Sequence, residues 1–103
     1  MKIEMDKIYL IVDKSEKLIA KGTPRNRTIC HIEENDRKRI LTYTSKKLAE
    51  NAFKNSGFYL SDYVRNYVKN EHPEFADSAF IGWADIKHLF SARAFKVTYD
   101  EIE

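Results

Sequence analysis

Glycine, proline and cysteine are all scarce in this 103-residue chain, which has three, two and one of them. Three scattered glycines leave no P-loop, no dinucleotide-binding turn and no G-x-S-x-G elbow, so phosphate cradles built from glycine backbone are excluded. A single cysteine excludes an internal disulfide, which fits a reducing compartment. Long apolar runs are missing too. The longest, Ile8 to Val12, is far short of a membrane span. Met1-Lys2-Ile3-Glu4-Met5-Asp6 has no apolar stretch after its basic residue, so no secretory signal is expected. These absences predict a cytoplasmic protein with no membrane partner, its one domain spanning 1–103, a length that can bury a core without staples.

Charge of both signs and a generous set of aromatics are present, the opposite of a disordered composition. The net charge of +2 is unevenly spread. Residues 1–50 hold twelve Lys or Arg against eight Asp or Glu, and residues 51–103 hold six against eight. A basic first half suggests an anionic partner there.

Ile8-Tyr9-Leu10-Ile11-Val12 reads as a strand buried on both faces. Lys17 to Lys21 returns beside it after the polar turn Asp13-Lys14-Ser15-Glu16, which lacks glycine and so fits a loop of about four residues around a type I turn. Gly22-Thr23-Pro24-Arg25-Asn26-Arg27 is a loop. Thr28 to Glu33 and Lys38 to Tyr43 are expected to form a second hairpin. Thr44 or Ser45 caps a helix with Leu48, Ala49, Ala52 and Phe53 on its inner face. Asn55-Ser56-Gly57 ends it, Gly57 taking a left-handed cap. Leu60, Tyr63, Val64, Tyr67 and Val68 follow the helical repeat until Pro73. Glu74 to Ser91 is expected to be helical in two pieces, broken near Gly82. Phe95-Lys96-Val97-Thr98-Tyr99 is a final strand with Phe95, Val97 and Tyr99 inward. The order β-β-β-β-α-α-α-β predicts an α+β fold: an antiparallel sheet of four to five strands with helices packed on one face.

No catalytic set stands out, so no enzyme activity, cofactor or metal is expected. Cys30 and His31 are neighbours on a strand and point to opposite faces, which prevents them from pairing. Asp85 and His88 are three apart on an expected helix and could touch. With His72 or Glu71 they fall short of a helical metal signature, which needs two histidines four apart with a glutamate between. The leading constellation is basic. Arg25 and Arg27 flank the first loop, Arg37-Lys38-Arg39 sits at the second turn, and Lys46-Lys47 opens a helix whose free N–H groups add positive potential. Arginine forks suit phosphate or carboxylate, and Tyr43 is placed to stack on a ring. Phe53, Phe58, Tyr59, Tyr63, Tyr67, Phe75, Phe80, Trp83 and Phe90 exceed what three helices over one sheet need, so part of this set is expected at an interface, with a homodimer as one outcome.

Ile8 to Tyr59 resembles small bacteriophage accessory proteins. The residues that carry the likeness are the Ile-Val-Asp-Lys hairpin start, Ala20-Lys21-Gly22, Ile40-Leu41-Thr42-Tyr43-Thr44-Ser45-Lys46-Lys47 leading into Ala49 and Ala52-Phe53, and Ser56-Gly57-Phe58-Tyr59. The resemblance implies a non-catalytic viral protein in the host cytoplasm that binds host or phage machinery. Inhibitors of host defence, anti-CRISPR proteins among them, are of that kind. The expectation is an inhibitor of a host factor such as a defence nuclease. The alternative is a nucleic-acid or nucleotide-binding module that uses the basic patch.

Overall fold

A computed structural model describes residues 2–34, 36–55 and 57–100. The elements are β1 (Lys2–Asp13), β2 (Leu18–Gly22), β3 (Arg27–His31), α1 (Lys46–Asn55), β4 (Tyr59–Leu60), α2 (Asp62–Glu71), a 3-10 turn (Pro73–Phe75), α3 (Trp83–Ile86), a second 3-10 turn (Lys87–Leu89) and β5 (Phe90–Asp100). The strands form one sheet in the order β4-β3-β2-β1-β5. All pairings are antiparallel except β3 with β4, which is parallel. The chain is α+β as expected, with a mixed rather than wholly antiparallel sheet. The parallel pair requires a crossover, and the segment through α1 supplies it.

The expected fourth strand, Lys38 to Tyr43, is not a regular strand, and its hairpin with β3 does not form. β1 and β2 pair at Val12–Ile19 and then splay apart. Residues 39–43 fill the gap. Gly22 N–H donates to Arg39 O at 2.8 Å and Leu41 N–H to Ala20 O at 3.1 Å, on the β2 side. Tyr9 and Tyr43 exchange both backbone bonds, at 2.8 and 2.9 Å, on the β1 side. The segment thus satisfies backbone groups that a splayed hairpin would leave bare.

Register sorts the side chains. Leu18 pairs with His31 and Ala20 with Ile29, so these face the side of Ile11, where the helices lie. Ile19 pairs with Cys30 and Lys21 with Thr28, on the opposite side. Ile11, Leu18 and Ile29 join Ala52, Val64, Val68, Ile81, Trp83 and Ile86 in the main core. Each fully buried aliphatic side chain here contributes about 1.5–3 kcal/mol. Trp83 anchors the far end: its indole N–H donates to Phe53 O at 3.2 Å, and its ring meets Phe53, Phe58 and Phe90.

Ser45 and Ser61 cap their helices, accepting from Leu48 N and Val64 N at 3.2 and 3.3 Å. Five details depart from the sequence reading. Leu48 is exposed, because the inner stripe of α1 is narrower and holds Ala49 and Ala52. Tyr63 is likewise exposed on α2. Gly57 has no left-handed backbone; among the described residues Gly22 is the glycine with positive φ. The stretch from Glu74 is mostly 3-10 and irregular, with one short α-helix starting directly after Gly82. Phe95 does not point into the main core: it pairs with Ile8 on the side away from the helices and is exposed. Ser56, the Tyr99 side chain and residues 101–103 lie outside what the structure describes.

Candidate functional site

The two basic loops meet. Gly22, at φ 111°, turns the chain out of β2 into the Thr23–Asn26 turn, whose backbone groups bond to each other at 3.3 and 3.1 Å. A Cβ on Gly22 would stand 2.1 Å from Asn26 O, so no other residue fits. The same Gly22 holds Arg39 O, which brings the Arg37-Lys38-Arg39 loop alongside. The result is an open cleft of ≈ 470 Å³ lined by Arg25, Asn26, Arg27, Thr28, Lys38 and Tyr59. Arg37 and Arg39 are exposed beside it.

The other predicted residues lie elsewhere. Lys46 and Lys47 are exposed at the start of α1. Lys46 lines a separate hollow against Phe90, Ser91 and Ala92 of β5, the edge of the sheet opposite β4, and sits 3.9 Å from Glu50. Tyr43 packs against the main core, and its hydroxyl is buried without a hydrogen-bond partner. Burial pushes its pKa up, partly offset by Arg27, whose Nε is itself buried and unpartnered. The ring at the cleft is Tyr59, paired with Thr28 and 65% exposed. Sequence periodicity could not single it out, because β4 is only two residues long.

A second hollow of ≈ 220 Å³ shares Thr28, Lys38 and Tyr59 with the first and continues past Cys30, Glu34 and Asp36. Here the loop after β3 folds back over the helix-free side. Asp36 meets Lys21 Nζ at 3.2 Å and accepts the Lys38 N–H at 2.8 Å; Glu34 accepts the His31 N–H at 2.9 Å. Burial raises the Asp36 carboxyl, but the Lys38 N–H and Lys21 outweigh it and hold the pKa below the usual range. Burial, then Asp36 and Glu34, push the Cys30 thiol up and keep it protonated at neutral pH. Cys30, Glu34 and Asp36 each place one ligand-type atom within 4.8 Å of the others, the one such trio among the described residues. Both carboxylates already hold protein donors.

Cys30 and His31 lie on opposite faces of β3, as their strand partners Ile19 and Leu18 require. His31 sits instead against Tyr63 and Tyr67, and its Nδ1 accepts the Glu33 N–H at 3.1 Å. Asp85 bonds to the Gly82 N–H at 2.9 Å rather than to His88, whose ring stacks near Phe75. No helix among the described residues is long and apolar enough to cross a membrane.

The site is therefore a shallow groove in which an arginine-rich half passes, at Lys38 and Tyr59, into an acidic half. Such a surface can seat discrete anionic groups against guanidinium forks beside an exposed phenol ring. No protein-family model, curated protein or solved structure matches the chain.

Proposed function

We propose that this chain is a non-catalytic binding protein that acts by docking the Arg25–Arg27–Lys38–Tyr59 groove onto an acidic surface of a host protein. The resemblance of residues 8–59 to small phage accessory proteins supports a defence factor, such as a nuclease, as the host target. The observation that carries the reading is the convergence of the two basic loops around an exposed tyrosine. Arginine and tyrosine are the side chains that most often dominate protein interfaces. The acidic half of the groove favours a protein partner over a long polynucleotide. A phosphodiester chain running past Lys38 would meet Glu34 and Asp36, whereas a protein can present acids to one half and bases to the other.

A second reading, a nucleic-acid or nucleotide ligand, is favoured by one feature: the exposed Tyr59 ring lies among cations, the setting in which bases stack. Affinity capture from bacterial lysate, with and without nuclease, separates the two. Wild type and a triple Arg25→Ala, Arg27→Ala, Lys38→Ala variant serve as baits. A nuclease-resistant protein partner lost in the variant is the expected result. Capture abolished by nuclease would replace it with the second reading, and capture unchanged by the triple variant would remove the groove from the function.

A further inference from the structure

The sheet is apolar on both sides in its middle, but only one side carries helices. The buried helical residues Ala52, Val64, Val68, Trp83 and Ile86 fall in the main core with Ile11, Leu18, Ala20 and Ile29. A second cluster is made of strand residues alone: Leu10, Val12 and Ile19, with Ile8 against it. Phe95 and Ile32 rise on either side of this cluster, 39% and 47% exposed, and leave between them a trough of ≈ 220 Å³. Leu10, Val12 and Ile19 themselves are only 9%, 4% and 6% exposed, so the apolar surface this side offers to water is the raised pair Phe95 and Ile32, at positions where a helix-free sheet face ordinarily turns polar.

We propose that this open face is a homodimer interface, with two copies of the chain packed sheet to sheet about a twofold axis. Two observations select a second copy as the occupant. First, the relief is self-complementary: a ridge, Phe95, stands beside a trough of the right character to receive the same ridge from another copy. Facing sheets pack about 10 Å apart by such interdigitation. Second, the rim carries one charge of each sign. Glu16 and Arg93 flank the trough and are ion-paired with each other. A neutral rim selects neither an acidic nor a basic partner, but two copies related by a twofold axis can set Arg93 of each near Glu16 of the other.

The face is distinct from the basic groove: none of the residues lining the trough lines the groove. Dimerisation therefore stands or falls independently of what the groove binds.

Sedimentation velocity from micromolar to near-millimolar chain concentration tests the proposal. Wild type is expected to move from one chain to a species of twice the 12.1 kDa mass. Phe95→Glu and Ile32→Glu place charges at half-exposed positions that the single fold tolerates. Each is expected to weaken self-association by about 100-fold, the size of a hot-spot loss, with an unchanged circular dichroism spectrum. Leu48→Glu, an exposed leucine on α1, is expected to dimerise like wild type. A wild type that remains a single chain throughout overturns the proposal. So does a dimer that survives the combined Phe95→Glu, Ile32→Glu change, which would place the contact elsewhere, such as the free edge of β5.

Discussion

The Asp13 carboxylate is buried at the end of the first hairpin, where a turn without glycine must be held by something else. It accepts the N–H groups of Lys17 and Leu18, each at 2.8 Å, and the Ser15 hydroxyl. Glu16 meanwhile takes φ 62°, a conformation that costs a non-glycine residue about 1 kcal/mol or more. The carboxylate offsets that strain and satisfies donors the hairpin would bury. Asp13→Ala should lower stability by about 2–3 kcal/mol, since one buried and one partly buried N–H group lose a charged acceptor. Asp13→Asn keeps one oxygen and should lose less. Urea unfolding monitored by Trp83 fluorescence gives both values. Tyr43 is the opposite case. Its hydroxyl is buried with no partner, so Tyr43→Phe should be neutral or stabilising by up to about 1 kcal/mol. A loss larger than that, in the same unfolding experiment, would mean that the hydroxyl is satisfied.

At the scale of elements, what could be read from the chain was what repeats. Val64 and Val68 sit where the helical period puts them, Ser61 caps α2, and a last strand returns to the sheet, although it starts at Phe90, inside the stretch expected to be helical. What could not be read depends on neighbours distant in sequence. Ile40 to Tyr43 has the composition of a strand, but it pairs with β2 on one side and β1 on the other because those strands splay, a fact no local pattern encodes. Leu48 fits an apolar face by spacing, and only the placement of α1 against β1 and β5 leaves it in solvent. The basic loops were legible as basic, whereas their meeting was not. It depends on Gly22, which looks like any loop glycine until its Cβ position is seen to be filled. The loop after β3 is tied down chiefly by Asp36 and Lys21, whose side chains are 18% and 12% exposed. Asp36 has a folded pKa below its unfolded value, so its contribution is fully present above the unfolded pKa and is lost as pH falls through the folded one. The expected window lies below pH about 4. Asp36→Asn should cost about 1 kcal/mol at neutral pH and flatten the loss of stability on acidification. An acid limb with the same slope as wild type would show that another carboxylate governs it.

At the scale of the whole molecule, helices on one side of the sheet leave the other side to present two surfaces of different chemistry. The groove at the β3–β4 edge is charged and shallow, so its binding should weaken with salt, because exposed charges are screened within about 10 Å at 0.1 M. The trough on β1, β2 and β5 is apolar, so self-association there should persist or strengthen as salt rises. Since the two share no lining residue, their variants should act additively. The Arg25→Ala, Arg27→Ala, Lys38→Ala protein should lose its partner and keep its sedimentation behaviour. The Phe95→Glu, Ile32→Glu protein should sediment as a single chain and still bind at the groove, more weakly only if the partner presents two sites and rewards a bivalent ligand. Titration of partner against each variant, at low and high salt, measures both terms at once. If the charge variant also dissociated the dimer, the two surfaces would form one interface, and the groove would be assigned to self-association rather than to a host partner.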